Sequence, residues 1–411
     1  MVLLPASWAS VAPSRPERPT DPSDPAYRWG ALDSAVQAAA AHGLRIALNV
    51  SFAPPWAEGP GRPARIASGT WRPDAAAYGA FAQAVARRYS GSFPDPQRPG
   101  ATLPRVRFWQ AWGEPNLSDH LTPQWERQGR RYVPESPSIY RALLNAFYRG
   151  VKAVHADNFV VTAGTAPFGD PPGGPRMAPA TFVRTLLCVA GSPARPIHCP
   201  DPAHFDALAH DPYSIGGPYQ HALNPDDVSI PDMARLSGPL RVAEHTGRAL
   251  PRARKQLWVT EFSWDSNPPD PHGVPAREQA RWLAQAFYEL WREGVSTAIW
   301  YQVRDALPIP DYASTYQSGV YLYDGTPKPA ARAFKFPFVL RRASSSTLLL
   351  WMRAPAAGRL VVQRRVGARW RAVLRRPVRS GEIVHRRVSL RGSVTLRACV
   401  GRICSLPFSE H

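Results

Sequence analysis

Two segments of this chain place a glutamate directly after an apolar run: Trp109-Gln-Ala-Trp-Gly-Glu114-Pro-Asn116 and Leu257-Trp-Val-Thr-Glu261-Phe-Ser-Trp264. Runs rich in aromatic and β-branched residues read as strands. Each carboxylate therefore sits just beyond a strand, where the loops of a barrel gather and where residues far apart in sequence can converge. Pro115 fixes the backbone straight after Glu114 and turns the chain off the strand. Two such carboxylates can divide the work at an acetal carbon. One, protonated, gives its proton to a departing alkoxide; the other, ionised, attacks the carbon. That is the chemistry of a retaining glycosidase, and it requires no metal or cofactor. A lone glutamate at a strand end more often caps a helix or pairs with an arginine. A pair of them, in a chain with 14 tryptophans, favours catalysis.

Positioning those carboxylates requires strands, and seven apolar runs supply them: Val2 to Trp8, Leu44 to Val50, Val106 to Trp112, Phe159 to Thr165, Ala207 to Tyr213, Leu257 to Ser263 and Thr297 to Val303. Between them lie segments with apolar residues three and four apart, predicting helices over Leu32 to Ala41, Ala75 to Tyr89, Ser138 to His155, Pro179 to Val189, Asp232 to Arg248 and Ala276 to Arg292. Alternation of strand and helix implies parallel strands joined by helical crossovers, and at 411 residues the expected fold class is α/β, a (β/α)8 TIM barrel. Only seven strands are visible and the chain opens on one of them, so the first strand is expected to be missing. Counted with that strand, Glu114 follows strand four and Glu261 strand seven. No Gly-rich phosphate loop opens an early helix, which argues against a doubly wound nucleotide-binding sheet.

After residue 337 the pattern changes to short alternating runs, Leu348 to Met352, Arg359 to Gln363, Trp370 to Leu374, Ile383 to Leu390 and Val394 to Val400. Residues 1–337 are thus read as the barrel and 338–411 as a small antiparallel β-sandwich domain. Charge follows the same division. The net charge is +19, yet residues 341–411 alone hold 16 arginines, no lysine and two glutamates. Arginines interleaved with valine and leucine form the solvated face of strands. An anionic cell-wall polymer is the partner such a surface would suit, and nucleic acid is not expected. Cysteine occurs as two close couples, Cys188 with Cys199 and Cys399 with Cys404, read as disulfides. They imply an oxidising compartment, extracellular or cell-wall associated, with the signal peptide missing from this chain. No apolar run is long enough to span a membrane.

With those motifs in hand, the sequence resembles the clan A glycoside hydrolases, in particular bacterial proteins like glycoside hydrolase family 39 and cellulase-like relatives. The resemblance spans roughly residues 1–335, and it implies a general acid/base at Glu114 and a nucleophile at Glu261. Ala207-Leu-Ala-His210-Asp-Pro-Tyr213 resembles the segment whose histidine and tyrosine line the site, and Trp300 resembles the aromatic platform beneath the sugar. The chain departs from the pattern at Gly113, where relatives carry an asparagine whose amide bonds the 2-hydroxyl, and at Leu3, aligned with an arginine of relatives. Substitution at Gly113 implies low activity, a substituted 2-position or a contact supplied from elsewhere.

The expected activity is retaining hydrolysis of an O-glycosidic bond, in a β-linked glycoside or polysaccharide, through a covalent glycosyl-enzyme. A carbohydrate-binding pseudoenzyme on the same fold is the alternative. Aromatic faces stack on pyranose rings, so Trp56, Trp112, Trp264 and Trp300 are candidate sugar contacts, with core packing as their other use. Asn116, His210, Tyr213 and Gln302 complete the candidate substrate-binding set, and Asn49, Arg304 and Asp305 are near enough in pattern to reach hydroxyls. Arg304 and Asp305 have pairing with each other as their structural alternative.

Overall fold

The protein is described by a computed structural model covering residues 1–307, 312 and 315–410. Its contacts divide it into two compact units: Met1–Pro212, His221–Glu261 and Val295–Ile299 in one, and Tyr213–Gln220, Phe262–Gly294 and Trp300–His411 in the other.

The first unit is built on seven parallel strands, β1 (Val2–Ser7), β2 (Ile46–Ser51), β3 (Phe108–Ala111), β4 (Phe159–Thr162), β5 (Ala207–His210), β6 (Gln256–Val259) and β7 (Thr297–Ala298). They neighbour one another in chain order without a crossover, the arrangement of a (β/α) barrel sheet. Registers such as Leu48↔Trp109 and Trp109↔Val160 put apolar side chains side by side, and Leu48, Trp109 and Val160 are wholly buried. Parallel sheets covered on both faces read as continuous apolar runs, which is why these strands stand out in the sequence. Helices α1 (Gly30–Ala41), α2 (Ala75–Arg88), α3 (Ser136–Lys152), α4 (Pro179–Leu186) and α5 (Ala234–Thr246) return the chain between them. Pairing stops at Ala111, Thr162, His210 and Val259, before the apolar composition does, because the chain bends there into the turns that carry polar groups.

In the second unit, helices α6 (Ala276–Arg292) and α7 (Pro329–Lys335) precede two antiparallel sheets. β8 (Phe338–Ser344), β9 (Thr347–Arg353) and β12 (Ile383–Ser389) form one. β10 (Gly358–Val366), β11 (Arg369–Val378), β13 (Val394–Val400) and β14 (Ile403–Cys404) form the other, with β15 (Phe408–Glu410) pairing β13. Trp351, Leu360, Val384 and Leu396 from these sheets share a core with Tyr288 of α6 and Phe336 after α7. The arginines of β11 fall on its exposed alternation, Arg369, Arg371 and Arg375 outward. Cys399 faces Cys404 across a strand pair and is bonded to it at 2.06 Å; Cys188 and Cys199 are joined at 2.05 Å in the first unit.

Helices α1 and α2 are locked by a buried ion pair. Asp33 accepts from Arg88 Nε at 2.8 Å and from the Tyr89 hydroxyl at 2.8 Å, and the Arg88 guanidinium lies 5.1 Å from the centre of the Trp29 ring. Removing one partner of such a pair strands the other charge in the interior. Asp33→Ala is therefore expected to lower stability by about 3–5 kcal/mol, read from the urea midpoint, with a loss under about 1 kcal/mol showing that the pair does not join these helices.

Candidate active site

Beyond β3 the backbone enters a conformation that side chains rarely adopt: Trp112 has φ 73° and Glu114 φ 40°. Such residues persist where surrounding bonds over-determine them, and they concentrate at functional sites. Here Trp112 N–H donates to Val50 O at 2.8 Å and Glu114 N–H to Gly164 O at 3.0 Å, pinning this turn to its neighbours on either side. Asn116 completes the clamp: its amide donates to Ala166 O and Met177 O, and its Oδ1 accepts from Ala166 N–H at 2.8 Å. His120 Nδ1 donates to Gly113 O at 3.0 Å, since a carbonyl can only accept. Its Nε2 then faces Glu114 Oε2 at 3.9 Å. Burial pushes the Glu114 carboxyl up to about 7, so it holds its proton through the mildly acid range.

Glu261 follows β6 directly after Thr260, and Thr260 connects it to a third carboxyl. Gln110 Nε2 donates to Thr260 Oγ1 at 3.1 Å, and Thr260 Oγ1 donates to Asp211 Oδ1 at 2.6 Å, all in the interior. Asp211 stands immediately after β5, is 3% exposed, and lies where the charges of both Glu261 and Glu114 act on it. Burial first, then those two neighbours, hold its carboxyl well above the usual carboxylate range. A Cβ at Gly164 would come within 2.1 Å of Asp211 Oδ2, so only glycine leaves room for this carboxyl. Three carboxyls from the ends of β3, β5 and β6 thus share one pocket of field, two of them read from sequence as the reacting pair. Among the described residues, no group of three or more His, Cys, Asp or Glu side chains is arranged to hold a metal ion.

The remaining residues singled out from sequence divide clearly. His210 is fully buried, with Nδ1 at 2.8 Å from Thr165 Oγ1 and Nε2 at 2.9 Å from Val228 O, so both nitrogens are occupied by the protein. Burial lowers its pKa to about 4, leaving a neutral ring. Trp112 is wholly buried against Tyr78, its Nε1 donating to His120 O. Asn116 is consumed by the clamp just described. Trp56 is half-buried, edge-on to Trp8, with Arg15 5.3 Å from its centre. In the second unit, Trp264 and Trp300 form a cluster with Phe262, their indole nitrogens donating to Gly216 O and Ser318 O. Tyr213 and Gln302 are partly exposed there, Gln302 Nε2 donating to Tyr316 O at 3.0 Å. Asp305 pairs with Lys328 at 2.7 Å rather than with Arg304.

Four residues of the first unit escaped sequence reasoning: Asp211, Gly164, Thr260 and His120. Asp211 carried the same signal as the glutamates, an acid just past an apolar run, but it was overshadowed by the histidine and tyrosine around it. Gly164 and Thr260 carried none. Asn49 lies close by: its Nδ2 is 3.4 Å from where a side chain at Gly113 would begin, so its amide borders the space that this glycine leaves open. Its Oδ1, like Oε1 of its cross-strand neighbour Gln110, is buried without a hydrogen-bond partner among the described residues.

The fold has counterparts among solved structures. A family 39 glycoside hydrolase from the gut symbiont Bacteroides cellulosilyticus WH2 superposes with a TM-score of 0.55 at 17% identity, covering 95% of this chain and 75% of the other. A glucosidase from Croceicoccus marinus gives 0.52 at 15% identity, over 96% and 89%. At such identities the likeness shows the fold alone. No protein-family model matches the sequence, and a search of curated protein sequences finds no match.

A raised carboxyl is also a statement about stability. Glu114 binds its proton up to about 7 when folded but only to about 4.5 when unfolded, so the folded state loses stability as pH rises through that window. Glu114→Gln removes the cost. The variant is expected to gain up to about 3 kcal/mol over wild type above pH 7 and nothing below pH 4.5, measured by urea unfolding across pH; a gain independent of pH would contradict the assignment.

Proposed function

We propose that this chain is a retaining glycoside hydrolase that cleaves an O-glycosidic bond in a β-linked glycoside or polysaccharide. The observation that carries the reading is the Glu114–Glu261 arrangement: one strand-end carboxyl is kept protonated near neutrality by burial, and the other stands in the same electrostatic neighbourhood. The likeness in fold to a glucosidase and to a family 39 glycoside hydrolase supports it.

In this mechanism Glu261 attacks the anomeric carbon, the carbon–oxygen bond to the aglycone breaks, and Glu114 delivers its proton to the departing oxygen. Water then attacks the glycosyl ester, giving its proton to Glu114 and its hydroxyl to the anomeric carbon, and Glu261 leaves as carboxylate. His120, held by Gly113 O, places its Nε2 3.9 Å from Glu114 Oε2. Asn49 offers its amide to a substrate hydroxyl beside Glu114, the contact that Gly113 cannot make. Two disulfides support action in an oxidising compartment outside the cytoplasm. Residues 1–337 carry the reaction in this reading, and residues 338–411 form the appended β-domain.

Several measurements bear on this reading. The first-formed sugar in a proton NMR time course with aryl β-glycosides should have the configuration of the substrate, whereas initial appearance of the opposite anomer would assign inversion. The alkaline limb of kcat/KM should fall near pH 7, where Glu114 loses its proton. Glu114→Ala should slow substrates with poor leaving groups by roughly 10²–10⁴-fold and activated aryl glycosides far less; equal losses for both would deny Glu114 the role of proton donor. Asn49→Ala should reduce kcat/KM about ten- to hundredfold through a lost hydroxyl contact, and an unchanged value would remove it from the sugar.

A further inference from the structure

Asp211 has no part in the two-carboxylate chemistry, yet the structure ties it to both reacting residues. On one side its carboxyl accepts from the hydroxyl of Thr260, the residue before Glu261, and the Glu261 backbone amide also favours its charge. On the other side it lies against Gly164, whose carbonyl accepts the Glu114 amide at 3.0 Å. Its own N–H donates to Thr165 O at 3.0 Å, fixing the turn after β5 to the turn after β4. One buried side chain therefore touches the supports of both strand ends.

We propose that Asp211 is a positioning residue that holds Glu114 and Glu261 in register and remains a neutral carboxylic acid through the catalytic cycle. The inference rests on the glycosidase reading given above. Around Asp211 the titrating groups are Glu261 from the end of β6 and Glu114 from the end of β3. From the turn after β4 it meets Gly164 and Thr165, which do not titrate. The preceding His210 turns its ring to Thr165 and Val228 and is itself neutral. Among the described residues no basic side chain forms an ion pair with Asp211. With Asp211 neutral, the three carboxyls hold a single negative charge at every stage: on Glu261 in the free enzyme, and on Glu114 once its proton has gone to the leaving group and Glu261 is an ester. An ionised Asp211 would add a second negative charge in the same low-dielectric pocket throughout.

The test uses the full chain labelled with carboxyl-¹³C aspartate and glutamate. In the wild type, the resonance lost in Asp211→Asn should stand at the protonated position at pH 6, and the Glu114 resonance should titrate near 7. Asp211→Asn, neutral and of the same shape, should leave the Glu114 midpoint and the alkaline limb of kcat/KM within about 0.3 unit of wild type and restore kcat to within about threefold. Asp211→Ala should lower kcat roughly 10- to 100-fold with little change in KM, because the reacting groups are misplaced, and should move the Glu114 midpoint. An Asp211 resonance already ionised at pH 6 would overturn the proposal. So would an alkaline limb shifted down by about a unit in Asp211→Asn, the mark of a removed negative neighbour, or an alanine variant indistinguishable from wild type. Should the wild type turn over no glycoside, the glycosidase reading fails on its own, and the Asp211 and Glu114 resonances still decide on the neutral, positioning role.

Discussion

Crowding of negative charge is the constraint around which the first unit is organised. Three acids close three parallel strands whose ends point the same way, and any barrel that gathers its loops there must bring them close. Ionised together, in the interior, they would repel one another. The protein meets this by keeping protons rather than by adding cations. Burial lifts Glu114 to about 7 and holds Asp211 higher than an ordinary carboxyl, although the chain as a whole carries a net charge of +19. Its arginines are concentrated elsewhere, on exposed positions of the C-terminal strands.

Holding acids in such a place requires a rigid frame, and the frame is made of residues that resemble binding groups in the sequence. Asn116 and His210 are polar residues at strand ends, the very signature of a sugar contact, yet each spends its hydrogen-bonding capacity on backbone and side-chain partners across adjacent turns. The left-handed backbone at Trp112 and Glu114 is the local expression of that frame. It stores unfavourable conformation at Trp112 and Glu114, and the bonds to Val50 O and Gly164 O hold it there.

What the sequence made legible follows from this division of labour. Strands buried on both faces are continuous apolar runs, so β1 to β6 stood out with their order, while β7, two residues long in the structure, was recognisable only as part of a longer apolar stretch. The helices were legible through their period, Ala276–Arg292 to the residue. In the C-terminal region five alternating runs were readable, whereas Phe338–Ser344, Ile403–Cys404 and Phe408–Glu410 were not: the last two carry too few alternations, and Phe338–Ser344 opens on an unbroken apolar run, Phe338 to Leu340, followed by two arginines rather than alternating. At the site, the two glutamates could be read because each combines an acid with a strand end. The partner set could not be read in the same way: whether His210 or Trp112 faces a ligand or the interior depends on which turn packs over it, and that is decided by residues far away in the chain, such as Val50 for Trp112 and Thr165 for His210. Asn49 illustrates the converse, a side chain whose proposed contact follows from the absence of one at Gly113.

The central claim is that Glu261 becomes covalently glycosylated. Incubation with 2-deoxy-2-fluoro glycosides bearing an activated leaving group slows breakdown of such an ester, and peptide mass analysis then locates it. The account predicts a single added sugar on the peptide containing Glu261, absent in Glu261→Gln. A folded protein that hydrolyses aryl glycosides while carrying no label, or a label on another residue, would contradict it.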